Sequence, residues 1–104
     1  IISSGYNIAG PEVEAVLMAH EAVLECAVIG IPDPDRGHIV QAHVVVHEGT
    51  EPSDATAAML QEHVKATIAP YKYPRSVVFT AALPKTETGK VQRYVLRNVG
   101  KGTS

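Results

Sequence analysis

Hydrophobic and polar positions along the chain change period several times, and each change marks an element. Apolar residues at both ends of Ile1-Ile2-Ser3-Ser4-Gly5-Tyr6-Asn7-Ile8, with a Ser-Ser-Gly turn between them, predict a short hairpin. Gly10-Pro11-Glu12-Val13-Glu14 then opens a helix, because proline at the first helical position forfeits no hydrogen bond and two carboxylates stand at the positive end of the helix dipole. Val13, Val16, Leu17 and His20 recur at helical spacing and predict the face that packs inward, with His20 partly exposed at the helix end. Residues 23–31 are largely apolar and end β-branched, and Pro32-Asp33-Pro34-Asp35-Arg36-Gly37 is expected to stop this strand in a rigid surface loop. Strand character resumes over 39–46, and the two runs are expected to pair.

A second helix is predicted over 54–68, with Ser53 as N-cap and Ala57, Leu60, Val64 and Ile68 as its inward stripe. Ala69-Pro70-Tyr71-Lys72-Tyr73-Pro74-Arg75 should break that helix as a stiff, extended segment. Its two rings either cover the edge of the core, or one stacks on a flat ligand while a cation meets phosphate. Residues 76–82 read as a third main strand, and a short helix over 94–99 precedes a glycine-rich tail. This order predicts an α+β fold: a small three-stranded sheet flanked by helices, with an N-terminal hairpin. A doubly wound nucleotide-binding fold would need more strands and a glycine-rich strand-to-helix turn.

Composition narrows the class. With 104 residues, 45% apolar and 19% charged, the chain is one folded domain rather than a disordered segment or coiled coil. A formal charge of -2 offers no general attraction for nucleic acid or anionic lipid, and no apolar run is long enough to span a membrane. Cys26 is the sole cysteine, which excludes an internal disulfide and a cysteine-cluster metal site and predicts an inert buried thiol. His43 and His47 would share a strand face, but positions four apart on a strand lie about 13 Å apart, too far for one ion. The chain opens without Met on strand-like residues and is expected to be a fragment of a longer, cytoplasmic protein.

The chemistry concentrates in Leu83-Pro84-Lys85-Thr86-Glu87-Thr88-Gly89-Lys90-Val91-Gln92-Arg93, a loop between the third strand and the last helix. Gly89 permits a turn with φ > 0 and leaves the Lys90 ammonium unobstructed, so Lys90 is expected to be exposed and aimed outward. Gly89-Lys90 lacks the glycine spacing and following hydroxyl of a phosphate-binding loop. Ser3, Ser4, Thr86 and Thr88 have no histidine at a recognisable spacing, so no complete catalytic set is present.

The run Pro84-Lys85-Thr86-Glu87-Thr88-Gly89-Lys90-Val91-Gln92-Arg93 resembles the Pro-Lys-Thr-x-x-Gly-Lys-(Ile/Val)-x-Arg signature near the C-terminus of adenylate-forming enzymes. Ser3-Ser4-Gly5-Tyr6-Asn7-Ile8 followed by Pro11-Glu12-Val13-Glu14 is similar to the hinge-proximal motif of the same family, and the resemblance covers essentially the whole chain. Together with Asp33-Pro34-Asp35-Arg36-Gly37 and Pro70-Tyr71-Lys72-Tyr73-Pro74-Arg75, the chain looks most like medium-chain acyl-CoA ligases and benzoate- or aminobenzoate-type CoA ligases.

The resemblance implies that residues 1–104 are the mobile C-terminal domain of an ATP-dependent, AMP-forming carboxylic acid–CoA ligase whose N-terminal domain is absent. It implies ATP, Mg2+ and CoA as cofactors, with ATP and Mg2+ held mainly by that N-terminal domain, and an acyl- or aryl-adenylate as the intermediate. Lys90 matches the lysine that assists adenylation, with Thr88 and Gly89 supporting its loop. Gly5 matches the glycine that lets pantetheine pass, with Ser4 beside it. Tyr71 matches a ring stacked near the CoA adenine, and Arg36 and Lys72 match phosphate contacts. Asn7 stands where many relatives carry Arg. The pattern around Lys90 also resembles sites modified by lysine acetyltransferases, which implies such an enzyme as a partner. The alternatives are the C-terminal part of an adenylation domain that loads a carrier protein, and a noncatalytic interaction domain. The isolated chain is expected to be inactive.

Overall fold

The computed structural model describes residues 2–3 and 5–96. In chain order the elements are β1 (Ile2–Ser3), β2 (Tyr6–Asn7), α1 (Gly10–Met18), β3 (Val23–Asp33), β4 (Gly37–Val46), α2 (Asp54–Thr67), a 3-10 turn (Pro70–Lys72) and β5 (Ser76–Phe79). Residues 93–96 are again helical. β4 is the central strand. On one side it pairs antiparallel with β3 from Val23↔Val46 to Asp33↔Gly37. Its other side is shared by β1, which pairs antiparallel at Ser3↔Gly37, and β5, which pairs in parallel from Gln41↔Ser76 to Val44↔Phe79.

The parallel pairing of β5 was not legible in the hydrophobic pattern. It follows from the connection: β4 runs out, α2 carries the chain back, and β5 starts again from the end where β4 began, as a crossover requires. Two packed faces explain why residues 26–29 and 40–45 are all buried, without the alternation of a half-exposed strand. On one face Val28, Val40, Ala42 and Val44 meet Val13 and Leu17 of α1 and Leu60 and Val64 of α2. On the other, Ala27, Ile29 and Val45 meet Leu83 and Leu96, so the segment that follows β5 serves as the second covering layer.

Local chemistry sets the element ends. The Ser53 hydroxyl accepts from the Thr56 N–H at 3.3 Å and caps α2 as its sequence position predicts. Of the predicted stripe, Leu60 and Val64 are buried while Ala57 and Ile68 are half-buried. β3 continues through Pro32 and Asp33 instead of stopping at Ile31. It is an outer strand, where a missing N–H on the open side costs no ladder bond. The turn is made by 34–36, and the Asp33 carboxylate accepts from the Asp35 and Arg36 N–H groups at 3.1 and 2.9 Å. β5 ends at Phe79, three residues before the predicted limit, and the segment expected to be extended at Tyr71-Lys72 is a 3-10 turn with Pro70 at its start. The predicted helix over 94–99 starts at 93, and its part beyond 96 lies outside the described residues.

His47 lies just past the end of β4 and so does not share a strand face with His43. His43 is buried, and its Nε2 lies 2.8 Å from Gln41 Oε1, whose amide in turn donates to the Ser76 hydroxyl. Burial lowers the His43 pKa. His20 is half-buried, accepts the Ala22 N–H at Nδ1 (3.0 Å) and meets the His63 ring edge-on at 5.0 Å. Among the described residues no helix is long and apolar enough to cross a membrane.

Cys26 packs in the helix-side core, with its Sγ 3.6 Å from the Glu14 carbonyl oxygen. Burial first, and the Glu14 charge second, push its thiol up to about 12. At pH 8 the native thiol should therefore alkylate with iodoacetamide at least about a hundredfold more slowly than the urea-unfolded chain, as read by mass spectrometry over time. Leu60 has no exposed surface. Leu60→Ala should lower stability by about 2–5 kcal/mol through lost burial and a residual cavity, measurable as a shifted urea midpoint at unchanged slope.

Candidate functional site

Lys90 is exposed at the end of a tight hairpin whose backbone is closed by one residue, Thr86. The Thr86 N–H donates to the Lys90 carbonyl at 2.8 Å, the Thr86 hydroxyl accepts the Lys90 N–H at 3.1 Å, and the Thr86 carbonyl accepts the Gly89 N–H at 2.9 Å. Both backbone polar groups of Lys90 are thereby bonded to one partner, while its side chain stays in solvent. Gly89 sits at φ 86°, a left-handed conformation that a Cβ would strain, which is the support expected of it. The Thr88 hydroxyl lies 2.9 Å from that of Thr86 and so acts through Thr86. Thr86 was not among the expected support residues. The signal available in the sequence was its place four residues before Lys90 at the mouth of a glycine turn.

Two ion pairs hold the base of this hairpin. Lys85, bridged across the hairpin to Val91, pairs with Glu25 of β3. Arg93 binds Glu14 of α1 in a forked contact, with Nη2 at 2.6 and 2.8 Å from the two carboxylate oxygens and Nε at 3.2 Å. Glu14 Oε2 also accepts the Val28 N–H at 2.9 Å, a group on the open edge of β3. Glu14 was expected only to favour the helix dipole, and neither it, Glu25 nor Arg93 was expected to hold the lysine loop. Their pairing spans 60 and 79 positions of sequence and could not be read from spacing.

Of the residues expected to meet CoA, Gly5 and Arg36 lie near the start of β4, and Lys72 stands against α1. Gly5 turns between β1 and β2 at φ 82°, and a Cβ there would find nothing within 4 Å, so conformation and not local crowding requires glycine. The Ser3↔Gly37 pairing sets this hairpin beside the turn that carries Arg36. Ser4 lies outside the described residues.

The 3-10 turn places Lys72 against Glu12 in the first turn of α1, in an ion pair that raises the Lys72 pKa chiefly through the hydrogen bond. Tyr71 is exposed, with the Lys72 ammonium 5.9 Å from its ring centroid. Tyr73 takes the other fate: it packs on the core, with Lys65 Nζ 4.3 Å over its ring and Arg75 donating to its hydroxyl at 2.9 Å. Tyr73 thus covers the edge of the core, while Tyr71 stays exposed. Gly5 and Arg36 are brought together at the start of β4, whereas Lys90 stands apart, beside β3.

No group of three or more His, Cys, Asp or Glu among the described residues could hold a metal ion. Residues 12–90 match the AMP-binding enzyme C-terminal domain. The chain is 52% identical over 97 residues to the uncharacterized acyl-CoA ligase YtcI of Bacillus subtilis, covering 93% of this chain and 18% of that protein. It is 48% identical over 104 residues to human mitochondrial acyl-coenzyme A synthetase ACSM1, covering 98% of this chain and 18% of that protein.

Among solved structures, an acyl-CoA synthetase of Brucella canis superposes with a TM-score of 0.95 at 44% identity, over 98% of this chain and 19% of that one. The anthranilate CoA ligase AuaEII, in complex with anthranoyl-AMP, superposes with a TM-score of 0.86 at 39% identity, over 95% and 19%. The chain therefore spans less than a fifth of the length of these relatives. By sequence and by fold it belongs to the family of AMP-binding enzyme C-terminal domains, whose relatives here are acyl-CoA and aryl-CoA ligases.

Proposed function

We propose that this chain is the mobile C-terminal domain of an ATP-dependent, AMP-forming carboxylic acid–CoA ligase. The observation that carries the reading is the exposed Lys90 on a rigid hairpin at one edge of the sheet, with the Gly5 turn at the other. Such a domain presents one edge for each half of the reaction. In the first half, a carboxylate attacks the α-phosphate of ATP and pyrophosphate leaves. The Lys90 ammonium offsets the negative charge that gathers between the two anions. A lysine suits this better than an arginine, being a compact point charge on a flexible stem.

In the second half, the CoA thiolate attacks the adenylate carbonyl and AMP leaves. The Gly5 turn, with no side chain, gives pantetheine room along the backbone, and Ser4 contacts it. Tyr71 offers an exposed face for adenine, and Arg36 and Lys72 meet the CoA phosphates, Lys72 by exchanging Glu12 for phosphate. An exposed ring beside a cation favours free CoA over a carrier protein, which has no adenine to stack. ATP supplies the activating adenylyl group. Its Mg2+ is held mainly by the N-terminal domain. The anthranilate CoA ligase among the structural relatives supports an aryl acid as substrate, and the acyl-CoA synthetase an acyl one. We take the cytoplasm as its compartment.

In the full-length ligase, Lys90→Ala should cut acid-dependent ATP–pyrophosphate exchange by on the order of a hundredfold or more, with thioester formation from preformed adenylate within about threefold of wild type. Equal loss in both half-reactions, or turnover by the isolated chain, would overturn the assignment. Acetylation of Lys90 removes its cation and provides a means of control. Incubation of the intact ligase with a lysine acetyltransferase and acetyl-CoA should abolish adenylation in proportion to Lys90 modification, as followed by peptide mass spectrometry, and activity retained at full modification would count against it.

A further inference from the structure

The Lys90 hairpin is rigid within itself, but its hydrogen bonds to Thr86 and between Pro84 and Gln92 are all internal and do not say where the hairpin points. It is fixed to the domain by Val91, which packs on the Leu83 and Leu96 cluster, and by charge at its two ends. Lys85 on the entering strand pairs with Glu25 of β3, both side chains 36% exposed. Arg93 just after the leaving strand is forked onto Glu14, whose side chain is only 17% exposed. Leu83 and Leu96 anchor the segment by packing on Ala27, Ile29 and Val45, and half-buried Val91 packs against the same cluster, while Lys85 through Lys90 are exposed. Apolar packing therefore holds the segment, and the ion pairs orient its tip.

We propose that Glu14 and Glu25 are positioning residues for Lys90: through Arg93 and Lys85 they set the direction in which the lysine leaves the domain, and so govern the adenylation half-reaction. Neither carboxylate touches the reacting atoms. The inference rests on the role given to Lys90 above. A displacement of about 1 Å at a reacting group can cost on the order of a hundredfold in rate, so a loosened hairpin base is felt at its tip. Glu14 carries the larger share, because it is the more enclosed, makes a forked contact and also takes the Val28 N–H. The Glu25–Lys85 pair is exposed and screened, and contributes a few-fold.

The test uses the full-length ligase, with Lys90→Ala as reference. Glu14→Gln keeps an oxygen for the Val28 N–H but loses the charge that holds Arg93. It should lower kcat for ATP–pyrophosphate exchange by about tenfold or more, leave the KM for ATP within about twofold, and leave thioester formation from preformed adenylate within about threefold. Glu25→Lys should lower exchange by about two- to fivefold, and Glu25→Lys combined with Lys85→Glu should restore it. The surface pair carries the same test by itself if Glu14→Gln does not fold, as judged by thermal unfolding. Unchanged exchange in a folded Glu14→Gln enzyme, equal loss in both half-reactions, or no rescue by the charge reversal would each overturn the proposal. If Lys90→Ala itself left exchange intact, the functional reading would fall first. If Lys90→Ala were inactive while the glutamate variants were not, only the positioning role would fall.

Discussion

The Glu14 carboxylate is the point where the layers of this domain are tied together. It projects from α1 to the open edge of β3, accepts the Val28 N–H there and binds the Arg93 guanidinium, which belongs to the layer covering the other face. An outer strand with an unsatisfied N–H would invite pairing with another chain, and at Val28 this carboxylate occupies the place. The same charge answers Arg93. Removing either partner would leave the other under-solvated beside a packed edge, and for that reason such pairs behave as constraints more than as sources of net stability.

Around that tie the sheet keeps the two hairpins apart. β4 is bordered on one side by β3 and on the other by two short strands placed end to end, β1 at Gly37 and β5 over Gln41 to Val44. The glycine hairpin therefore sits at the start of β4, next to the Arg36 turn, while the lysine hairpin stands beside β3. Enclosed residues on both sheet faces give the domain between the two hairpins a close-packed interior.

The motif loop shows how a short sequence can carry more geometry than its composition suggests. Gly89 permits the turn, but Thr86 bonds both backbone groups of Lys90, and its hydroxyl supplies an acceptor that the Thr86 carbonyl, already taken by Gly89, does not. Thr88 contributes through that hydroxyl. The lysine side chain is left without a structural duty, unlike Lys85 and Lys72, whose ammonium groups are committed to Glu25 and Glu12.

From the sequence alone came the α+β class, the Ser53 cap, the stripes on both helices, the buried Cys26 and the exposed Lys90, because each depends on residues close in the chain: periodicity, capping and glycine conformation are local physics. The extension of β3 through Pro32 depended on its being an outer strand, and the 3-10 turn at Tyr71 on how the chain re-enters the sheet at Ser76. The parallel pairing of β5, the different placement of Tyr71 and Tyr73, and the pairs Glu14–Arg93 and Glu25–Lys85 belong to tertiary structure. A salt bridge between side chains 60 or 79 positions apart leaves no periodic trace, since what brings its partners together is the burial of other residues.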